Sequence, residues 1–145
     1  MHTDPVNVGL DLVDVREVAE SVERFGQRYL DRCYTPAEVA YAMSAPDRVT
    51  GVRRLAARFA AKEATIKALG ASERGISPRD IEVTRARDGS IRLELHGPAF
   101  AAAQAAGATA FAVSMSHQGD LAAAVVVAQQ QKSDSSSLRR IRWKR

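Results

Sequence analysis

The sequence predicts an α+β domain in which a small, mainly antiparallel sheet packs against a central alanine-rich helix. Two observations lead to this fold class. Segments with the period-2 alternation of strands are separated by short turns, and one helical segment, residues 57–69, is apolar on two sides. Winding this helix at about 100° per residue puts large apolar residues in one stripe and small ones opposite, where a sheet could approach closely. The large stripe contains Leu55, Phe59, Ile66 and Leu69, and the small one contains Ala57, Ala61, Ala64 and Ala68.

The first half of the chain is predicted to contain one strand and four helical segments. Alternating apolar residues indicate a half-buried strand. Asp14 can cap the helix that follows, and Thr35 with Glu38 forms a capping box with proline at the first helical position. The expected elements are a strand at residues 6–12, helices at 14–25, 28–32 and 35–43, a loop at 44–51, and the alanine-rich helix up to Gly70.

The second half is predicted to contain two pairs of strands with a helix between them. Asp88 and Gly89 supply the residues that a tight hairpin turn requires. Gly97 and Pro98 open an alanine-rich helix that ends at Gly107. The expected strands cover residues 81–85, 91–95, 110–116 and 121–128.

Length and composition indicate one domain with a polar tail. The chain has 145 residues, 46% of them hydrophobic, which is enough for one core at residues 1–128. Residues 129–145 are polar and low in complexity, so we expect them to be disordered. The net charge of +4 is concentrated at the end of this tail, in Arg139, Arg140, Arg142, Lys144 and Arg145. Such a basic end could contact nucleic acid or lipid, but a solvated tail is the expectation, without a nucleic-acid or membrane partner.

Two further features bear on location and on cysteine chemistry. The chain begins without the cationic and apolar regions of a secretion signal and has no apolar run long enough to span a bilayer, so we expect a cytoplasmic protein. Cys33 is the only cysteine, which excludes an internal disulfide and favours a small buried apolar residue.

The alanine-rich helix carries charges where burial is expected. Lys62 falls in the large apolar stripe, with Arg58 and Glu63 on its flanks. Burying such groups costs several kcal/mol unless they are paired or ligated. The alternative is a solvated helix on which Glu63 and Lys67 form an ordinary i,i+4 pair.

A second carboxylate lies on the first strand. Asp11 shares a strand face with Gly9, which leaves room for a ligand or another backbone, although an aspartate facing water is the alternative. Together, Asp11 and Glu63 suggest one site for a hard cation. Magnesium suits two carboxylates because it keeps waters and completes its shell with substrate phosphates. Arg58, Lys62 and Lys67 lie near enough to meet phosphates, which points to phosphoryl-type transfer.

A polar edge is predicted on the strand at residues 110–116. Ser114 and Ser116 alternate with apolar residues, and His117 follows at the strand end. This edge could bind phosphate, or it could be structural or face solvent.

Three segments of the chain occur in a characteristic order. They are Val-Gly-Leu-Asp-Leu-Val at residues 8–13, Arg-Phe-Ala-Ala-Lys-Glu-Ala-Thr-Ile-Lys-Ala-Leu-Gly at 58–70, and Val-Ser-Met-Ser-His at 113–117. With Asp-Ile-Glu-Val at 80–83, they resemble the holo-acyl-carrier-protein synthase family of 4'-phosphopantetheinyl transferases. The similarity covers residues 6–128, and its most specific part is the middle segment.

The resemblance implies a reaction and roles for the site residues. The phosphopantetheine arm of coenzyme A would move to a serine of an acyl carrier protein, releasing adenosine 3',5'-bisphosphate. Asp11 and Glu63 match magnesium ligands, and Lys62 matches a lysine that would contact the phosphates and protonate the leaving group. Glu63, directly or through a metal-bound water, could deprotonate the serine, although the identity of the base stays open. Ser116 and His117 match positions near the nucleotide, and Arg58 and Lys67 are further phosphate contacts.

The resemblance also implies partners. The first helix would dock the carrier protein, and Arg16, Arg24 and Arg28 give this region positive character, although a solvated face is the alternative for all three. Glu17 departs from the family pattern, which often has a basic residue there. A homotrimer is implied, with Asp11 and Glu63 of different chains together. Two rivals remain: a noncatalytic basic binding module, and a different magnesium-dependent nucleotide enzyme.

Overall fold

A computed structural model describes residues 5–131 and confirms an α+β fold with antiparallel strands. Ten main elements follow one another along the chain, with a 3-10 turn at Pro78–Asp80. The elements are β1 (Val6–Asp14), α1 (Val15–Phe25), α2 (Gln27–Cys33), α3 (Pro36–Met43), α4 (Arg48–Ala68), β2 (Ile81–Arg85), β3 (Ile91–Leu95), α5 (Gly97–Ala105), β4 (Ala108–Gln118) and β5 (Leu121–Gln130).

The strands form two antiparallel sheets. The larger one has the order β1-β5-β4, and β2 pairs with β3 as a separate hairpin. The sequence predicted this hairpin correctly, with the same bounds. Strand β5 continues to Gln130, past the predicted end at Ala128. The rest of the predicted tail lies outside the described residues.

Helix α4 packs directly on the larger sheet, and Gly9 makes this contact possible. A Cβ atom added at Gly9 would overlap the carbonyl oxygen of Ala64 and lie 2.9 Å from the backbone nitrogen of Ala68. Ala60, Ala61 and Ala64 are fully buried in the core. The predicted close approach of another backbone at Gly9 is therefore confirmed, and the alanine side of α4 is the side that makes it.

The two faces of β1 have opposite environments. The strand is half-buried as predicted, but through the face that carries Gly9, Asp11 and Val13, because α4 lies on that face. The large apolar residues point away from the core and are exposed by more than half: Val6 57%, Val8 59%, Leu10 60% and Leu12 65%. Leu121 of β5 adds to the same kind of surface, at 54% exposure. The sheet therefore has one apolar face that this single chain does not cover.

Local capping signals set most helix starts. Asp14 caps α1 and the capping box of Thr35 and Glu38 opens α3, as predicted. The predicted loop at residues 44–51 is too long, because Asp47 accepts a hydrogen bond from the Thr50 nitrogen (2.7 Å) and starts α4 at Arg48. Gly51 lies inside α4. Glycine fits this position because a Cβ atom there would be 2.9 Å from the Ala42 carbonyl oxygen.

None of the helices in residues 5–131 combines the length and the apolar character needed to cross a membrane.

Candidate active site

Three charged residues meet where α4 lies on β1. Asp11 comes from the buried face of β1, and Glu63 and Lys67 come from one face of α4. The Lys67 ammonium donates to Asp11 Oδ1 (2.9 Å) and to the Leu10 carbonyl oxygen (3.0 Å). The side chain of Asp11 is 15% exposed and that of Lys67 is 51% exposed. The cluster is thus open to solvent on its lysine side.

The electrostatics of Glu63 show that the two carboxylates affect each other. Burial raises the pKa of Glu63, the negative charge of Asp11 raises it further, and Lys67 partly opposes both. One lysine therefore faces two carboxylates. An additional cation at this position would relieve the repulsion between them, which fits the donor set that magnesium prefers.

The expectation that Asp11 and Glu63 come together from different chains is wrong. The two carboxylates lie close enough within one chain to interact, since the negative charge of Asp11 contributes to the raised pKa of Glu63. The physical reason is the glycine at position 9, which lets β1 pack on α4 without a side chain between the two backbones.

Lys62 lies away from this cluster, in the interior. Its side chain is 0% exposed, and its ammonium donates to Glu38 Oε1 (2.7 Å), to the Pro78 carbonyl oxygen (3.1 Å) and to the Ile81 carbonyl oxygen. Burial lowers the pKa of Lys62, and Glu38 opposes this. All three ammonium protons have protein acceptors, so in this arrangement Lys62 does not meet the predicted role of contacting phosphates. The prediction that a buried charge here must be paired is confirmed.

A second group of predicted residues lines a cavity of about 350 Å³. Arg58 from α4 lines this cavity together with Ser116 and His117 at the end of β4. Arg58 is only 3% exposed, and the centres of the Arg54 and Arg58 guanidinium groups each lie 4.3 Å from the centroid of the Tyr41 ring. The remaining lining residues are Tyr41, Thr50, Arg53, Arg54, Ala57, Arg85 and Met115.

The cavity is strongly cationic. Within residues 5–131, no carboxylate forms an ion pair with its four arginines. Arg54 donates to the Tyr41 carbonyl oxygen (2.8 Å), and the Arg58 Nε atom is buried without a hydrogen-bond partner. Burial lowers the pKa of Arg58, Glu38 and Tyr41 oppose this, and the charges of Arg85 and Arg54 lower it further. Such a group of guanidinium donors is suited to a phosphate.

Sequence reasoning missed part of this cavity. Arg54 precedes Arg58 by one helical turn, so the i,i+4 spacing could have revealed it. Tyr41 and Arg85 come from α3 and β2, and no local pattern links them to α4. Their role depends on how those elements pack.

The three arginines predicted to dock a carrier protein do not share one environment. Arg16 forms an ion pair with Asp14 (2.8 Å) and lies 3.8 Å from Asp120. The Arg24 guanidinium lies 5.2 Å from the centroid of the Phe25 ring. Arg28 lines a pocket of about 240 Å³ together with Phe25, Tyr29 and Arg32. Glu17 lies in the first turn of α1 and is exposed.

An acidic cluster that the sequence did not predict lies on the β2–β3 hairpin. Possible ligand atoms of Glu82, Glu94 and His96 lie within 4.8 Å of one another. Hydrogen bonds account for part of this proximity, because Glu82 accepts from the Thr35 hydroxyl (2.6 Å) and pairs with His96 (3.2 Å). The cluster is separate from Asp11 and Glu63.

Comparison with known proteins places these features in a family. Residues 7–126 match the family model described as the 4'-phosphopantetheinyl transferase superfamily. A holo-[acyl-carrier-protein] synthase of Koribacter versatilis is 42% identical, over 84% of this chain and 96% of that protein. A holo-[acyl-carrier-protein] synthase of Chloroflexus aggregans is 48% identical, over 83% of this chain and 92% of that protein.

Solved structures show the same fold. An ACPS–CoA complex from Chronobacterium ammoniagenes superposes with a TM-score of 0.75 at 31% identity, covering 89% of this chain and 100% of the other. The acyl carrier protein synthase of Mycobacterium tuberculosis gives a TM-score of 0.64 at 38% identity, covering 86% and 97%. With the carboxylate pair on β1 and α4 and the match over residues 7–126, the chain belongs to the 4'-phosphopantetheinyl transferase superfamily.

Proposed function

We propose that the chain is a holo-[acyl-carrier-protein] synthase. It transfers the 4'-phosphopantetheine moiety of coenzyme A to a serine hydroxyl of an apo acyl carrier protein and releases adenosine 3',5'-bisphosphate. Relatives named for this activity share 42% and 48% of their aligned residues with it, and a similar structure contains CoA.

The observation that carries this proposal is the placement of two sites on one helix. Glu63, beside Asp11, follows the buried Arg58 of the cationic cavity by five residues, which is a helical rise of about 7.5 Å and a rotation of about 140°. A ligand that carries a pyrophosphate and a separate phosphate, as coenzyme A does, could contact both sites by passing around the side of α4. The cavity would take the phosphate-bearing nucleotide end, and the carboxylate cluster would lie near the pyrophosphate.

Asp11 and Glu63 would hold magnesium. Their oxygens are the ligands that this ion prefers, and two carboxylates leave positions for substrate phosphate oxygens. When bound, the ion would withdraw charge from the phosphorus under attack and from the leaving phosphate. Removing divalent ions with EDTA should abolish transfer, and added magnesium should restore it. Transfer that continued in EDTA at the original rate would rule out this role.

Lys67, rather than Lys62, would contact the reacting phosphates. Its ammonium is half exposed and already lies at Asp11 (2.9 Å), whereas the Lys62 ammonium is enclosed by protein acceptors. Lys67 could donate a proton to the leaving group. Glu63 could accept the proton of the serine hydroxyl, directly or through a metal-bound water.

Arg58, Ser116 and His117 would bind the nucleotide part of coenzyme A. The unpartnered Nε of Arg58 and the neighbouring guanidinium groups offer charge-assisted donors to a phosphate monoester. Ser116 and His117 close the cavity from the side of β4.

The carrier protein would dock at α1 and the start of α2. Arg24 and Arg28 flank an exposed aromatic residue, Phe25 (52% exposed), which gives a basic surface with an apolar centre. Arg16 contributes less because Asp14 offsets its charge. The association rate should fall as salt is added, since an acidic carrier would be steered by these charges.

Whether the carrier serves fatty acid or polyketide synthesis can be tested with a panel of apo carriers. A cytoplasmic location stays a prediction.

A homotrimer would cover the apolar outer face of the larger sheet. Val8, Leu10 and Leu12 are exposed by 59–65% in the single chain, an unusual arrangement for a strand in a soluble monomer. Replacing Leu10 by aspartate should reduce the mass measured by sedimentation equilibrium to that of one chain. A parent protein that already sediments as a monomer would exclude the trimer.

The central experiment is incubation with coenzyme A, magnesium and apo carrier protein. Intact-protein mass spectrometry should show the addition of one phosphopantetheine group to the carrier. The variants Asp11→Ala and Glu63→Ala should fold but lose most turnover. Glu17→Ala, on an exposed face of α1, is the control and should leave the metal site intact. No addition to any carrier in the panel would contradict the proposed activity.

A further inference from the structure

The ion pair between Glu38 and Lys62 is fully enclosed by protein. The two side chains are 1% and 0% exposed, and Lys62 Nζ lies 2.7 Å from Glu38 Oε1. Neither residue lines the cationic cavity, and neither side chain hydrogen-bonds to Asp11 or Lys67. The pair therefore has no direct access to a substrate.

Glu38 uses its remaining capacity to join three elements. Its Oε1 atom accepts from the Thr35 nitrogen at the start of α3 (2.9 Å). Its Oε2 atom accepts from the Val83 nitrogen of β2 (3.1 Å). Together with its ion pair to Lys62 on α4, these hydrogen bonds connect α3, β2 and α4 through one carboxylate.

The same three elements form part of the wall of the cationic cavity, each about one helical turn or strand repeat away from the buried pair. On α3, Tyr41 follows Glu38 by three positions, and on α4, Arg58 precedes Lys62 by four, so each pair shares a helix face. On β2, Arg85 follows Val83 by two positions and lies on the same strand face. The centres of the Arg58 and Arg85 guanidinium groups lie 4.3 Å and 5.5 Å from the Tyr41 ring centroid. The buried pair and the Tyr41 cluster are consecutive contacts between the same elements.

We propose that Glu38 and Lys62 are positioning residues that set the geometry of the cationic cavity and thereby its affinity for the nucleotide end of coenzyme A. This inference rests on the proposed function for the identity of the ligand. An alternative role is stability alone, since a buried pair often contributes nothing beyond an apolar pair of similar volume.

The double variant Glu38→Gln/Lys62→Met separates the two roles. It removes both charges together, so no uncompensated charge remains buried and the chain can fold. If the pair positions the cavity, KM for coenzyme A should rise about tenfold while kcat changes by less than about twofold, because ground-state contacts rather than the reacting groups are displaced. The dissociation constant of adenosine 3',5'-bisphosphate, measured by calorimetry, should rise by a similar factor.

Leu30→Ala serves as the matched control for stability. Leu30 is buried (4% exposed) on α2 and does not line the cavity. This variant should lower the unfolding temperature and leave KM and the dissociation constant unchanged. If the double variant does not fold at the assay temperature, Glu38→Asp retains the charge but shortens the carboxylate's reach, and KM should then rise by a smaller factor.

The outcomes distinguish this inference from the proposed function. A parent protein that does not bind adenosine 3',5'-bisphosphate would overturn both. Parent-like KM and binding in a folded double variant, or in Glu38→Asp where that variant is used, would overturn the positioning role and leave the proposed function intact.

Discussion

The ammonium of Lys67 lies 2.9 Å from Oδ1 of Asp11, a residue 56 positions earlier in the chain. Helical spacing alone pairs Lys67 with Glu63, four positions away, as on any solvated helix. In the structure, the hydrogen bonds of Lys67 also connect α4 to β1. This contact places one cation and two carboxylates at a single exposed point, where the reacting phosphates would bind.

Replacing Lys67 by methionine should reduce kcat/KM for coenzyme A about 10²-fold or more, because a phosphate contact and a proton donor are lost. The free energy of unfolding should change by less than about 1 kcal/mol, since the pair with Asp11 is half exposed on the lysine side. Initial rates and urea denaturation measure the two effects. Arg87→Met, in the exposed turn of the β2–β3 hairpin, is the control. Parent-level rates in Lys67→Met would remove Lys67 from the site.

Replacing Lys62 alone by methionine should behave differently. It leaves the Glu38 carboxylate buried without its cation, which typically costs about 3–5 kcal/mol of stability. Urea denaturation should show this loss, and adding Glu38→Gln should recover a large part of it. A loss below about 1 kcal/mol in the single variant would mean that water or a rearranged side chain replaces the pair.

Gly9→Ala should disturb both the fold and the site. The added methyl group meets backbone atoms of Ala64 and Ala68, which cannot rotate away. We expect a loss of about 1–3 kcal/mol or more on thermal unfolding, together with weaker magnesium dependence because β1 moves away from Glu63. Asn7→Ala, on the same strand but exposed, should change neither property. Normal stability in Gly9→Ala would show that the strand and helix are farther apart in solution.

Glu63→Gln should stabilise the metal-free protein at neutral pH while abolishing transfer. The folded state raises the pKa of Glu63, so it holds the proton more tightly than the unfolded state, and ionising Glu63 disfavours folding. The gain in unfolding temperature should therefore appear as pH rises above the ordinary glutamate value of 4.5 and vanish below it. Thermal unfolding in EDTA at several pH values tests this, with Glu20→Gln on the exposed side of α1 as control. A pH-independent gain would point to packing instead of charge.

Local signals in the chain were sufficient for most of the secondary structure. The hairpin of β2 and β3, the cap at Asp14 and the capping box of Thr35 depend on neighbouring residues, and each was predicted where it occurs. The start of α4 was missed because Gly51 resembles a loop residue in sequence. Its reason for being glycine lies in α3, since a side chain there would meet the Ala42 carbonyl oxygen.

The site residues show where local information ends. The pattern of alternation on β1 and the charges on α4 were enough to select Asp11 and Glu63. They could not show that the Val8 face of β1 is exposed, that Lys67 rather than Lys62 lies beside the carboxylates, or that Tyr41 and Arg85 complete the cationic cavity. Periodicity specifies which residues share a face of one element, whereas the partner of that face depends on packing between elements that are far apart in the chain. Here the glycine at position 9 and the carboxylate of Glu38 set that packing.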